Sequence, residues 1–394
     1  VKLGIERACN QPELVHSWGR IAFLGNQASV TRDLKPSWLA LYETPGAQLV
    51  AFFGPQHGFH ATVQDNMIET AHGRGPFGMP VYSLYSETRE PSASMLEEID
   101  TIVIDLQNTG CRVYTFKYTL AACLRAARKY DKRVVVLDRP NPVGGVTVEG
   151  RVLDPDVFSF VGEFSIPMRH GLTLGEAALL FNESIGASLD IVTMTDWDPN
   201  SLWHATGLSW VLTSPNLPTA ESTYIYPGTV AFEGCNVSEG RGTTLPFQLI
   251  GAPYLQDSDA YVQRVKKLAG DLPGVHLRPA EFQPTYHKWQ NQTCYGVHLH
   301  LLEPHQVPTF RLGLALMRAA AEVGETAFQW KQPPYEYETE ILPIRLILGG
   351  QAADEKLLAA EFSVDDEYWS SGLERYCDQA SRFLQYPRTL KPRK

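Results

Sequence analysis

Ile102-Val103-Ile104, followed at once by Asp105-Leu106-Gln107-Asn108-Thr109-Gly110, is the stretch from which the fold can be read. Three β-branched residues in an unbroken run suit a strand buried on both faces, and the polar, small residues behind it suit a loop leaving the strand's carboxyl end. The same phrase recurs three times. Ile21 to Leu24 runs into Gly25-Asn26-Gln27, and Leu49 to Phe53 into Gly54-Pro55-Gln56-His57-Gly58. Val134 to Leu137 runs into Asp138-Arg139-Pro140-Asn141-Pro142.

Helical patterns lie between and beyond these runs, over Glu90 to Ile99, Lys117 to Tyr130 and Gly175 to Ser184. Strands alternating with helices predict an α/β fold, with a Rossmann-like N-terminal domain built on a parallel-rich sheet. Ligands in such sheets bind outside the carboxyl ends of the strands, where the polar clusters fall. After about residue 210 the pattern changes. Ser214-Pro215-Asn216-Leu217-Pro218-Thr219 reads as a loop, followed by a Gly-rich stretch from Gly228 to Gly242. Ala260 to Leu272 and Phe310 to Val323 read as helices, and Tyr295 to Leu301 as an alternating strand. We therefore expect a boundary near residues 220 to 228, giving a Rossmann-like domain over 1–224 and a smaller α+β C-terminal domain over 225–394 that completes the cleft.

Length, composition and charge narrow the function. A chain of 394 residues exceeds one typical core. A net charge of -10 disfavours nucleic acid and anionic membranes as partners. No run approaches a membrane span, and no charged and apolar leader pattern opens the chain, which favours a cytoplasmic protein unless a leader has been removed. Six scattered cysteines without a CxxC pair read as free thiols. There is no HExxH, no Walker loop and no GxGxxG after the first strand, so no cofactor is expected. His298 and His300 alternate on one strand face, but without a third nearby ligand no metal is expected.

Four arginines, Arg112, Arg139, Arg169 and Arg241, sit in loop contexts and suit fork-like binding of a carboxylate. Glycoside hydrolysis usually needs two carboxyl groups. The candidates are Glu69, Asp105, Asp138, Glu163, Glu176, Glu221, Glu233 and Glu239. Glu176 closes a capping box with Thr173 and reads as structural. Glu69 and Glu239 lie in loops with no evident structural task. Asp105 and Asp138 suit either chemistry or the orientation of arginines. His57, in a Gly-Pro-Gln-His-Gly turn, reads as a functional loop residue.

Seven ordered motifs give the chain a specific resemblance. They are Phe53-Gly54-Pro55-Gln56-His57-Gly58-Phe59, Pro80-Val81-Tyr82-Ser83-Leu84-Tyr85, the run from Asp105 to Thr115, the run from Val136 to Gly145, the run from Arg169 to Glu176, the run from Ser214 to Thr219, and the run from Glu233 to Thr244. Together they resemble the bacterial exo-β-N-acetylmuramidase (NamZ-like) family, formerly a domain of unknown function. The resemblance implies a cleft between two domains and release of β-linked N-acetylmuramic acid from the non-reducing end of peptidoglycan fragments, without metal or cofactor. From their positions in predicted loops, Glu239 or Glu69 is expected as proton donor, with Asp105 supporting the positive charge that develops on the sugar and His57 on a sugar hydroxyl. Arg112, Arg139 and Arg241 would hold the lactyl carboxylate. Gln56, Asn108, Tyr114, Asp138, Asn141, His170 and Asn216 would complete the binding surface. Two departures matter: many relatives carry Glu at Gln56 and Asp at Asn108, and an amide cannot exchange a proton as a carboxyl does. Two other readings stay open, a muramyl-sugar-binding protein without catalysis and a hydrolase of another acidic sugar or sugar phosphate. The oligomeric state stays open too.

Overall fold

The computed structural model describes residues 1–63, 68–86 and 88–393. The four expected strands are present as β1 (Arg20–Gly25), β2 (Gln48–Gly54), β5 (Thr101–Asp105) and β6 (Arg133–Leu137). Three more extend their sheet: β3 (Gly73–Arg74), β4 (Pro80–Ser83) and β8 (Ser188–Val192). The order is β3-β4-β2-β1-β5-β6-β8, and every pairing is parallel except β3 with β4. The chain runs outward from β1 first on one side and then on the other, so the sheet reverses direction between β1 and β5, where Leu24 pairs with Ile104 and Gly25 with Asp105.

The unbroken apolar runs are explained by two covered faces. Ala22, Leu24, Ile102, Ile104, Val134 and Val136 belong to one core cluster with Phe116, Leu120 and Leu124 of the helix Phe116–Lys129. Ile21, Phe23, Phe52, Val103, Val135 and Leu137 face the other way, onto Leu3, Ile5 and Ala8 of the N-terminal helical segment. Leu174–Ile185 forms the third expected helix, opened by the Thr173 and Glu176 capping box.

The crevice where the sheet reverses is a common ligand site in such folds. Here it is filled by protein. The Arg139 guanidinium makes a fork-like pair with the Asp105 carboxylate, one arm at 2.8 Å, and Arg139 also donates to the Val30 carbonyl. Both side chains are almost wholly shielded from water.

In the second half, β9 (Leu249–Ala252), β10 (Val275–Phe282) and β11 (Cys294–Leu301) form an antiparallel sheet in the order β10-β11-β9. The helices Ser258–Ala269 and Thr309–Gly324 share its core, through Val265, Leu316, Val297 and Leu299. The expected boundary region, residues 220 to 228, falls within the helix Ala220–Thr229. Gly228 signals close packing there: a Cβ on it would lie 1.9 Å from the Thr309 carbonyl oxygen, and one on Gly313 would lie 2.3 Å from the Gly228 carbonyl. The halves are also not separate cores, since one apolar cluster reaches from Leu24 and Ile104 to Leu316 and Trp369. The tail returns to the first half: β12 (Lys391–Arg393) pairs in parallel with β7 (Thr147–Glu149), and Arg388 caps Glu176 at 2.5 Å.

Removing one member of a dry ion pair leaves the other charge unmet. Asp105→Ala is expected to destabilise the fold by about 3–5 kcal/mol, seen as a lower urea midpoint. A role for Asp105 at the sugar would instead lower turnover while leaving that midpoint in place.

Candidate active site

A cleft between the halves is lined by Gln56 and His57 behind β2, by Tyr114 and Thr115 behind β5, and by Asn216, Glu233, Arg241, Tyr335 and Glu336 from the chain beyond. Each wall has a local cause. The loop ahead of the helix Phe116–Lys129 is held by Lys117, wholly buried, whose ammonium donates to the carbonyls of Cys111 (2.6 Å), Arg112 (3.0 Å) and Tyr114 (2.5 Å). Burial pushes that ammonium down to about 7. Tyr114 then donates to Thr213 Oγ1 at 3.0 Å, and Thr115 donates to the Gln56 amide oxygen at 2.5 Å. His57 adopts a positive φ of 69°, with Nδ1 2.8 Å from the Val63 carbonyl.

The most unusual carboxyl in the cleft is Glu336. It is 2% exposed and accepts from the Gln56 amide nitrogen at 3.1 Å, and the Tyr85 hydroxyl lies 2.9 Å from its other oxygen. Burial pushes it up to about 8, with Tyr85 pulling the other way and Glu233 adding to the rise. It stands in a tight turn, Tyr335 to Glu338, closed by reciprocal backbone hydrogen bonds of 2.8 and 3.0 Å. Both central residues, Glu336 and Tyr337, have positive φ, 46° and 70°. That pattern suits Asn and Gly, and carrying it on Glu and Tyr costs about 1–3 kcal/mol per residue. Strain of this size is typical of functional positions.

The carboxyls on the opposite wall behave differently. Glu233 pairs with Arg241 and accepts from the Tyr335 hydroxyl at 2.6 Å. Burial acts to raise it, but Arg241 and Tyr335 outweigh burial and keep it ionised, below its ordinary value. Glu239 is fully buried between Arg241 and Lys288, each at 2.7 Å, with His287 at 3.4 Å. There too burial is outweighed, and Lys288 and Arg241 hold the carboxyl well below its ordinary value.

Several expected assignments are therefore corrected. Glu239 holds no proton to give at neutral pH and serves to neutralise two buried cations. Glu69 is exposed, 3.7 Å from Arg89, outside the cleft lining; residues 64–67, in the polar loop leading to it, lie outside the described residues. Arg112 is buried on the carbonyls of Arg151 (2.8 Å), Ile166 (3.2 Å) and Ile347 (2.5 Å), tying the two halves together. Arg139 is spent on Asp105, and Arg169 on Glu149 at 2.8 Å. Asp138 caps the helix Leu174–Ile185, accepting from Thr173 Oγ1 (2.7 Å) and the Gly175 amide (2.9 Å). Asn141 donates to the Leu172 carbonyl at 3.0 Å, and His170 Nδ1 accepts from the Leu172 amide at 3.1 Å. Asn108 is buried with neither side-chain polar atom hydrogen-bonded among the described residues, and it does not line the cleft. Gln56, His57, Tyr114, Asn216 and Arg241 do line it. His298 and His300 both accept from Arg278, a cation that competes with any metal, and no metal-ligating cluster occurs among the described residues.

Glu336, Tyr337 and Arg89 were not foreseen. The signal for the first two is the segment Pro333-Pro334-Tyr335-Glu336-Tyr337, a proline-led turn carrying a carboxylate between aromatics. A larger open depression of about 900 Å3 lies elsewhere, beside Glu149, Phe310 and Asp365, but its charges are already matched, Arg311 with Asp365 and Arg393 with Glu149.

Residues 21–221 match the N-terminal model of the exo-β-N-acetylmuramidase NamZ, and residues 224–386 match its C-terminal model. The chain belongs to the NamZ family. It is 41% identical over 313 residues to the peptidoglycan β-N-acetylmuramidase NamZ of Bacillus subtilis (strain 168), covering 79% of this chain and 75% of that one. Two crystal structures of DUF1343 family proteins from Bacteroides fragilis share the NamZ-family fold seen here. One has a TM-score of 0.87 at 29% identity, covering 98% of this chain and 99% of the other. The second has a TM-score of 0.72 at 25% identity, covering 98% of each. Among the described residues no helix is long and apolar enough to cross a membrane.

The raised Glu336 couples stability to pH. Between about 4.5, its ordinary value, and about 8, its value in the fold, the folded chain retains a proton that the unfolded chain has released. Its contribution to stability therefore falls as pH rises through that window. Glu336→Gln removes the contribution, so the Tm of the variant minus that of the wild type is expected to rise from pH 5 to pH 8. A flat difference would contradict the assignment.

Proposed function

We propose that this protein is an exo-β-N-acetylmuramidase that releases β-linked N-acetylmuramic acid from the non-reducing end of peptidoglycan fragments, with Glu336 as its proton donor. The observation that carries the reading is a buried carboxyl that keeps its proton at neutral pH, in a cleft walled by the family's own motifs. Membership of the NamZ family supports the substrate class. Breaking a glycosidic bond requires a proton on the departing oxygen, and an acid titrating near 8 is in the right form to supply it at pH 7. Glu233, ionised beside Arg241, supplies the negative charge that favours the oxocarbenium-like transition state. Gln56 cannot act as an acid; its amide orients Glu336 from one side while Thr115 fixes the amide from the other. His57, Tyr114, Asn216 and Arg241 contact the sugar in this reading. We propose in addition that the division into units at 1–224 and 225–394 reflects the two walls, a reading supported by where the two family models meet.

One feature favours a second reading. Position 56, at which the family resemblance leads one to expect Glu, carries a glutamine that cannot act as an acid, which is what a sugar-binding protein without catalysis would show. Kinetics on a chromogenic β-N-acetylmuramide decide between the two. The wild type is expected to release the chromophore, with kcat/KM falling above pH about 8, and Glu336→Gln to lower kcat by about 10²–10⁴-fold. Tight binding of N-acetylmuramic acid with no sugar released on long incubation would establish the binding protein instead.

A further inference from the structure

The sequence nominates arginines for the lactyl carboxylate, yet those arginines are already engaged by the fold, although Arg112 Nε and Arg169 Nε, like Arg89 Nε, have no hydrogen-bond partner among the described residues. Arg112, Arg139 and Arg169 lie buried on carbonyls or carboxylates, and Arg241 already meets two carboxylates. A carboxylate arriving with the sugar needs a cation that is near the cleft and not yet committed. Arg89 lies beside the cleft rather than in its lining, and among the described residues its one ionic neighbour is Glu69, at 3.7 Å. Its guanidinium stacks on the Tyr337 ring, 3.3 Å from the ring centre. Tyr337 is in turn supported from beneath by Tyr85 and Phe160, at 5.8 and 5.7 Å between ring centres. Tyr85 donates to Glu336, so two aromatic rings, Tyr337 and Tyr85, link Arg89 to the proposed proton donor.

The hydrogen-bonding state of Arg89 is as telling as its position. Its Nε is shielded from water and has no hydrogen-bond partner among the described residues. Its anionic neighbour, Glu69, is 3.7 Å away and half exposed, beyond hydrogen-bond reach. A stacked guanidinium is oriented but keeps the donors on its edge, the fork that suits a carboxylate. We propose that Arg89, held over the Tyr337 ring, is the specificity-determining residue that receives the lactyl carboxylate of the muramyl sugar, and that Glu69 holds this position until the substrate carboxylate displaces it. The assignment rests on the muramidase reading for its ligand.

The test is calorimetry with N-acetylmuramic acid, its lactyl carboxamide and N-acetylglucosamine, on wild type, Arg89→Ala, Arg89→Lys, Glu69→Gln and Lys331→Ala, with Tm recorded for each. Lys331 is the control, being a second cation near the turn, 5.1 Å from the Tyr335 ring centre. The wild type is expected to prefer N-acetylmuramic acid over both neutral sugars. Arg89→Ala should weaken that one ligand by about 10- to 100-fold and erase the preference. Arg89→Lys should restore part of it, and Glu69→Gln should tighten binding several-fold. The proposal is overturned if wild type does not distinguish the carboxylate from the carboxamide, if Arg89→Ala weakens all three sugars alike, or if the preference is lost in Lys331→Ala rather than in Arg89→Ala. Catalysis is read separately: carboxylate selectivity that depends on Arg89, in a protein that cleaves no muramide, would leave this inference standing and remove the enzymatic one.

Discussion

A guanidinium or carboxylate taken out of water must be met at once by opposite charge or by several well-placed carbonyls, and the architecture around this cleft follows from that requirement. Asp105 and Arg139 meet at the crevice where the sheet reverses and close it. Arg112 gathers carbonyls from both halves of the chain and holds them in register. Glu233, Arg241, Glu239 and Lys288 form an alternating series in which each charge is neutralised by its neighbours. One buried carboxyl of the cleft is left without such an ion pair among the described residues. Glu336 faces an amide, a phenol and a neighbouring carboxylate, so burial decides its state and it keeps a proton.

This division explains why the ligand site is displaced from the crevice usual for doubly wound sheets. The strand-end loops still build one wall, because Gln56 and Tyr114 follow β2 and β5. The other wall comes from the chain beyond residue 215, and the reacting region lies between the two. Gln56 spans the gap between the walls, its amide nitrogen donating to Glu336 and its amide oxygen accepting from Thr115.

The parallel sheet was legible in the sequence because strands covered on both faces need unbroken apolar runs, and four such runs stand out. The edge strands β3 and β8, and the short β4 beside β3, carry less apolar signal and do not stand out in the sequence. Gly228 misled, since a glycine chosen for close helix packing looks the same in sequence as a glycine chosen for a turn. The cleft motifs could be found, and Gln56, His57, Tyr114, Asn216 and Arg241 do line it. The roles of the arginines could not be read, because a guanidinium that braces a loop and one that waits for a ligand have the same residue type and similar surroundings in sequence. Glu336 was hidden for a related reason: its state depends on burial by residues roughly 250 and 280 positions away, Tyr85 and Gln56.

The return of the tail has a consequence for biogenesis. β7 lacks its partner strand, and Glu176 its guanidinium, until residues near 388 and 391 have been made. All seven strands of the large sheet are made by Val192, but the small β7–β12 sheet beside it cannot close while the chain is still being elongated through its second half. Its closure is a late, long-range event. An arrangement that ties the first half to the last residues gains cooperativity in the mature protein, and in exchange it lengthens the interval during which the nascent chain is exposed.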